Sequence, residues 1–224
     1  MKMNEAEIKE IVSSVLQKYA SGGNPAPGRN SASGGNADVI LEVSARHVHL
    51  TQEALEVLFG PGASLTFKRE LSQPGQFLSE EKVKLVTMKG TMDKVSVLGP
   101  LRDAVQVELS LTDCRTLGIN APVNLSGDHS GAGDVILIGP CGVLKEKGCV
   151  IAAKAHIHLD PKTASAKGLV NGQNVKVRIH SKRPVCLEDV SIRVSDKFRP
   201  AMHIDFDEAN ACAYDSDSTI EIIP

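Results

Sequence analysis

Two different periods divide the chain. In the first twenty residues the apolar side chains fall at Ile8, Ile11, Val12, Val15, Leu16 and Tyr19. Alternating steps of three and one trace one face of a helix. Asn4 with Glu7 three residues on fits an N-terminal capping box. Glu5 and Glu7 sit near the positive helix end and Lys18 near the negative end. Residues 21–37, "SGGNPAPGRNSASGGNA", are Gly, Ser, Pro and Asn with almost nothing apolar. Such a composition cannot drive burial and reads as a flexible linker. A helix this short is marginal alone in water. It either folds back on its own domain or docks its apolar stripe on another protein. The long linker favours docking.

From Asp38 onward the period becomes that of strands. "VILEVS", "KVKLVTM", "KVSVL", "VQVELSL", "VILIG", "VKVRI" and "VSIRV" are short, β-branched and partly alternating, with Gly, Pro and Asn between them. Helices are expected only over 51–58 and 161–167. Thr51 and Asp160 suit their N-caps, and Pro161 the first helical position. The expected fold is mainly β: one or two small β-barrels with short capping helices, plus the tethered N-terminal amphipathic helix.

The strand region also carries a weak repeat. "VILEVSARHVHLTQEALEVLFGPGASLTF" can be laid beside "CVIAAKAHIHLDPKTASAKGLVNGQNVKV". Each runs strand, His-x-His-Leu, cap, short helix, Gly-containing turn, strand. Two related halves with a site between them would produce this pattern. So would a chance likeness of two strand-to-helix junctions.

Composition narrows the classes. The 224 residues carry a net charge of −2 and no basic stripe, which disfavours a nucleic-acid partner. No apolar run approaches the roughly 20 residues of a membrane span, and no secretory pattern opens the chain. An intracellular location is expected. Trp is absent, so the core must be built from Val, Ile, Leu and Ala. The five cysteines, Cys114, Cys141, Cys149, Cys186 and Cys212, show no Cys-x-x-Cys spacing and read as reduced, mostly core residues.

The chemistry lies in the histidines. Four of the seven sit in the two His-x-His-Leu copies: His47 with His49, and His156 with His158. On a strand, residues i and i+2 point to the same side. Each pair therefore presents two imidazoles on one face, with Val48 or Ile157 turned into the core. A single pair is better read as two polar residues on a solvated face. Two pairs in equivalent contexts favour metal binding, with zinc the default and Co, Ni or Fe also suited. His203 in "RPAMHIDF" and Glu108 in "VQVELSL" are candidate further ligands. Val105, Val107, Leu109 and Leu111 would form the apolar face of their strand, placing Glu108 with Gln106 and Ser110 toward solvent or a polar cleft. His180 reads as exposed, and His129 as a turn residue. Arg102 in "GPLRD" can bind a phosphate through paired hydrogen bonds, or form a surface ion pair with Asp103. "NLSGDHSGAGD" is a Gly-rich loop able to bind an anion, but it has neither Walker nor dinucleotide spacing.

In the order "SARHVHL", "GPLRD", "VELSLTD", "NLSGDHSGAGDVILIGPCG" and "AKAHIHLDP", these stretches resemble one known family. It is the PduL-type phosphate propanoyltransferases, the phosphotransacylases of bacterial microcompartments. The resemblance runs from about Asp38 to the C-terminus, and the N-terminal helix is similar to an encapsulation peptide. It implies two β-barrels, one from residues 38–46 with 155–224 and the other from 47–154. Two zinc ions per chain are implied in the cleft between them. The first set of ligands would be His47, His49 and Glu108, and the second His156, His158 and His203. Arg102 matches the family's phosphate-binding arginine.

The implied reaction interconverts propanoyl-CoA or acetyl-CoA plus phosphate with acyl phosphate plus CoA, by direct attack. No Ser or Cys sits beside a base in a recognisable nucleophile motif. Implied partners are coenzyme A, phosphate, and the shell or core proteins of a cytoplasmic microcompartment, reached through residues 1–20. A homo-oligomer is also expected. Two rivals share the residues. A dinuclear zinc hydrolase would need no phosphate. A non-catalytic, zinc-stabilised cargo protein would have no activity for metal removal to abolish.

Overall fold

The computed structural model describes residues 39–224, so the helix expected over 1–20 and the linker over 21–37 lie outside the described residues. In chain order the elements are β1 (Ile40–Val43), β2 (His47–His49), α1 (Gln52–Phe59), β3 (Phe67–Glu70), β4 (Phe77–Val86), β5 (Thr91–Gly99) and β6 (Gln106–Leu109). There follow α2 (Leu111–Leu117), β7 (Val123–Asn124), β8 (Gly133–Ile138), β9 (Val143–Ala153), β10 (His156–Leu159) and α3 (Pro161–Ala166). The chain ends in β11 (Asn174–His180), β12 (Val185–Val194), β13 (Ala201–Ile204), α4 (Phe206–Ala211) and β14 (Thr219–Ile223).

Two sheets account for all the strands. Strands β2 to β9 form one. Its ladder runs β4, β5, β2, β6, β9, and β8 then pairs with both β9 and β4. The ring is therefore closed by hydrogen bonds and has no open edge of its own. β3 and β7 hang from its sides. β1 joins β10 to β14 in the second sheet, in the order β1-β13-β10-β12-β11-β14. This sheet curls until β1 and β14 touch, without a ladder between them, and is a half-barrel.

Each sheet encloses its own core, built as the alternation requires. In β11, Val175, Val177 and Ile179 are buried while Asn174, Lys176, Arg178 and His180 are exposed. Val48 and Ile157, the residues between the paired histidines, are completely buried in separate cores. Each such side chain contributes about 1.5–3 kcal/mol relative to exposure. Their burial fixes the opposite orientation of the flanking imidazoles.

Short helices follow the site strands. Thr51 and Asp160 are the N-caps of α1 and α3, and both accept a backbone N–H through the side chain. The sequence reading did not include α2 or α4. Ser110 caps α2, and Asp205 with Glu208 forms a reciprocal capping box at α4. These caps are the missed signal, since both helices are too short to show a clear period. Leu111, assigned to the apolar strand face, is instead the first residue of α2 and is exposed.

Candidate active site

The two histidine strands have equivalent surroundings. β2 lies between β5, which is parallel to it, and β6, which is antiparallel. β10 likewise lies between parallel β12 and antiparallel β13. On each antiparallel neighbour a third donor stands directly across from the first histidine. Glu108 faces His47, and His203 faces His156. Each of these neighbours then runs into a capped helix, α2 or α4. The repeat seen in the sequence therefore extends to a second strand and helix in each half.

The resulting triads are His47, His49, Glu108 and His156, His158, His203. Within each, the donor atoms all lie within 4.8 Å of one another. Both triads line a single cavity of about 720 Å³ between the sheets, together with Arg102 and Ser126. Glu108 is buried and faces this cavity rather than bulk solvent.

The lone pairs decide whether these residues suit a metal. His47 Nδ1 donates to the carbonyl of Ala45 at 2.7 Å, and His156 Nδ1 to that of Lys154 at 2.8 Å. Each bond fixes the tautomer and leaves the Nε2 lone pair free. His49 Nδ1, both nitrogens of His158 and Nε2 of His203 are buried without a hydrogen-bond partner. An unsatisfied buried polar atom costs about 1–3 kcal/mol. A cluster of them on imidazoles that already face one another fits a cation. The donor set of imidazole with carboxylate suits a divalent transition metal.

The electrostatics agree. Burial, reinforced by neighbouring positive groups, pushes His49 and His158 down to about 2 and His203 down to about 3. These rings are neutral donors at neutral pH. Burial acts on His47 the same way, but the Glu108 carboxylate, 3.5 Å from its Nε2, outweighs it and raises its pKa. Burial alone would raise Glu108, yet His47, by its charge and its hydrogen bond, holds it well below the usual carboxylate range.

Arg102 is half-buried in the cavity wall. Its Nη1 donates to Ser126 Oγ at 3.0 Å, so the surface pair with Asp103 does not form. Ser126 lies in the Gly-rich loop of residues 124–134, and Gln106 is what holds that loop. The Gln106 amide nitrogen donates to Glu108 Oε1 at 2.5 Å and to Ser126 Oγ at 2.9 Å. Its amide oxygen accepts from Gly127 N at 2.7 Å and His129 Nε2 at 3.0 Å. Gln106 was not singled out as a site residue in the sequence; its position two residues from Glu108, on the same strand face, was the available signal. His129 is thus tied into the loop, and His180 is exposed. Among the candidate nucleophiles, none of the five cysteines lines the cavity. All five are free thiols, and burial pushes Cys114 up to about 11 and Cys149 up to about 12.

Comparison with known proteins adds the chemistry. Residues 40–215 match the phosphate propanoyltransferase family. The chain is 42% identical to the phosphate propanoyltransferase of Alkaliphilus metalliredigens over 221 residues, 99% of this chain and 100% of that protein. Identity to that of Leptotrichia buccalis is 50% over 181 residues, 80% of this chain and 85% of that protein. Against that of Thermotoga maritima it is 46% over 187 residues, 83% and 89% of the two chains.

Proposed function

The chain belongs to the phosphate propanoyltransferase family, and from that membership we propose that its cavity transfers a propanoyl or acetyl group between coenzyme A and phosphate with two bound zinc ions. The carrying observation is the pair of buried donor triads facing one cavity beside an arginine. His47, His49 and Glu108 would hold one ion, and His156, His158 and His203 the other. Bound there, such ions supply Lewis acidity toward a thioester carbonyl and a thiolate.

The remaining work falls to the chain's own groups. Arg102, steadied by Ser126, has further N–H donors for a phosphate. Hydrogen phosphate is already anionic near neutral pH, so attack needs little help from a base. One phosphate oxygen forms a bond to the thioester carbon while the C–S bond breaks and its electron pair leaves on sulfur. The phosphate's proton ends on the thiol, giving acyl phosphate and CoA. We prefer direct transfer: no cysteine lines the cavity, although Ser72, which donates to Glu42, does. Ser126 is bonded to Arg102 and Gln106 and lies beside Glu108, a carboxylate assigned to the first triad.

CoA release from several acyl-CoAs, with and without phosphate, tests this reading. Release that requires phosphate and yields acyl phosphate is expected. Equal release without phosphate would indicate a hydrolase, and no release a non-catalytic cargo protein.

Residues 38–46 with 155–224 are read as one structural half and 47–154 as the other, a division supported by the membership of the two sheets. Residues 1–20 are read as the segment that docks on microcompartment shell or core proteins, which sets the enzyme's place in the cytoplasm. The apolar stripe of the sequence supports this, and the Alkaliphilus relative aligns over 99% of the chain, the N-terminal segment included. A homo-oligomer completes the reading. Exposed Ile40, Phe67, Val123 and Val143 are apolar strand positions that an interface would cover, and sedimentation velocity checks it.

A further inference from the structure

The cavity wall holds a second guanidinium. Arg193 lies on β12, directly across from His158 on the parallel strand β10. It lines the same cavity as Arg102 and is half-buried. Its head lies over the Phe198 ring, 5.8 Å from the centroid. Phe198 in turn stacks on His158 with centroids 4.0 Å apart and planes 24° from parallel. The guanidinium is thus held in place by an aromatic face. Among the described residues it has no hydrogen bond and no ion pair.

Two other cations of the cavity wall have carboxylate partners, and Arg69, which has none, is exposed. Arg46 pairs with Asp113 at 3.2 Å, and Lys154 with Asp189 at 2.8 Å. Arg102 and Arg193 have no carboxylate partner of this kind. A guanidinium taken partly out of water without a counter-charge is costly. Burial lowers the Arg102 pKa against the opposing pull of Glu108, and the positive charge of Arg193 adds to the lowering, so the two guanidinium groups are near enough to repel. The two guanidinium groups, from two elements facing one cavity, share a single nearby carboxylate, Glu108; such a wall suits an anion with several oxygens.

The internal repeat points the same way. Across from β2, His47 meets Ser96 and Val48 meets Val97. Across from β10, His156 meets Ser191 and Ile157 meets Ile192. The next residues on the neighbouring strands are Leu98 in one half and Arg193 in the other, and both line the cavity. The strand framework accepts leucine at this position, so the arginine is not needed to build the sheet.

We propose that Arg193 forms a two-arginine clamp with Arg102, and that the clamp grips the phosphoryl group common to inorganic phosphate and acyl phosphate. Arg102 comes from the connection between β5 and β6 and Arg193 from β12, so the bound dianion is held by both halves of the molecule. The assignment rests on the phosphotransacylase reading of the cavity. Paired forks match the three free oxygens of a phosphoryl group better than a single fork does.

The test uses the full-length, metal-loaded enzyme and its Arg193→Gln and Arg193→Lys variants. Steady-state kinetics are measured in both directions, metal content by elemental analysis, and inorganic phosphate binding by calorimetry without acyl-CoA. For Arg193→Gln the expected result is an increase of about tenfold or more in KM for phosphate and for acyl phosphate. KM for acyl-CoA and for CoA should stay within about twofold of wild type, with metal content unchanged and calorimetric phosphate binding weakened in parallel. Arg193→Lys should recover part of the loss, because it restores charge without the fork. An unchanged phosphate KM in both variants overturns the clamp. So does a selective rise in KM for CoA, which would assign the arginine to the phosphates of the coenzyme. Loss of metal in both variants also overturns it, since Arg193 would then support His158. If wild type itself transfers no acyl group to phosphate, the functional reading fails. If wild type is active and the variants keep its phosphate affinity, only the clamp fails.

Discussion

Replacing Glu108 by Gln separates what the carboxylate does for the fold from what it does for a bound cation. Glu108 stands 3.5 Å from His47 Nε2 and 4.0 Å from His49 Nε2. At an effective dielectric constant of about 20, unit charges 3.5 Å apart attract by about 5 kcal/mol. Burying the two charges costs several kcal/mol each, so the pair contributes little net stability. In Glu108→Gln the charge that raises the His47 pKa is gone, and burial drives that ring neutral. Its Nδ1 keeps the bond to Ala45, so Nε2 becomes an acceptor that the new amide can satisfy. The amide oxygen still accepts from Gln106. Stability should therefore change by only about 1–2 kcal/mol, a shift of a few degrees in the melting temperature of the stripped protein. Cation binding should respond far more, because the only anionic donor of the two triads is lost. Losing a supporting residue typically weakens a metal site by about 10–100-fold, and loss of a ligand should exceed that. The assay is elemental analysis after equilibration in a metal buffer, with calorimetric melting beside it. One metal per chain should be lost while the fold persists. A variant with full metal content and wild-type transfer would refute the role of Glu108.

Other consequences are equally direct. Gln106→Leu removes the tether between Glu108, Ser126 and Gly127; it should raise KM for phosphate several-fold while KM for CoA holds, as initial rates will show. Glu208 is pushed by burial from 4.5 up to about 7. A raised carboxyl pKa gives stability that is complete below the unfolded value and is lost as pH rises through the folded one. At about 1.4 kcal/mol per tenfold the ceiling is about 3 kcal/mol, and partial exposure leaves about 1–2. Denaturant melts should show wild type losing this much between pH 4.5 and 7 relative to Glu208→Gln, and parallel curves would contradict the cause assigned. Deleting residues 1–20 should leave transfer unchanged in vitro and abolish delivery into a microcompartment shell, as fluorescence of shell-producing cells will report. A deleted enzyme that is still encapsulated would give the segment another job.

The parts of this site that were legible in the sequence are those with local causes. Alternation alone turns Val48 and Ile157 inward and the four histidines outward. Thr51 and Asp160 announce their helices by the rules of capping. Glu108 was ambiguous, because period two assigns it to a polar face without saying whether water or a cavity lies beyond. That choice is made by the curling of the closed barrel, which no local pattern encodes. His203 reaches the second triad only through the antiparallel pairing of β13 with β10, in a strand distant along the chain. Arg193 stands in the alternating run "VSIRV", where it looks like any polar strand residue until β12 is set beside β10. Strand neighbours are non-local facts, and so are the residues that depend on them.

The central claim is that two triads hold two ions and that transfer depends on both. The most direct measurement strips the protein with a chelator and titrates zinc back while following phosphate-dependent release of CoA. The account predicts no transfer in the stripped protein, recovery on addition of zinc, and a plateau at two equivalents per chain. Full activity in the stripped protein, or a plateau that does not depend on His47 and His156, would contradict it.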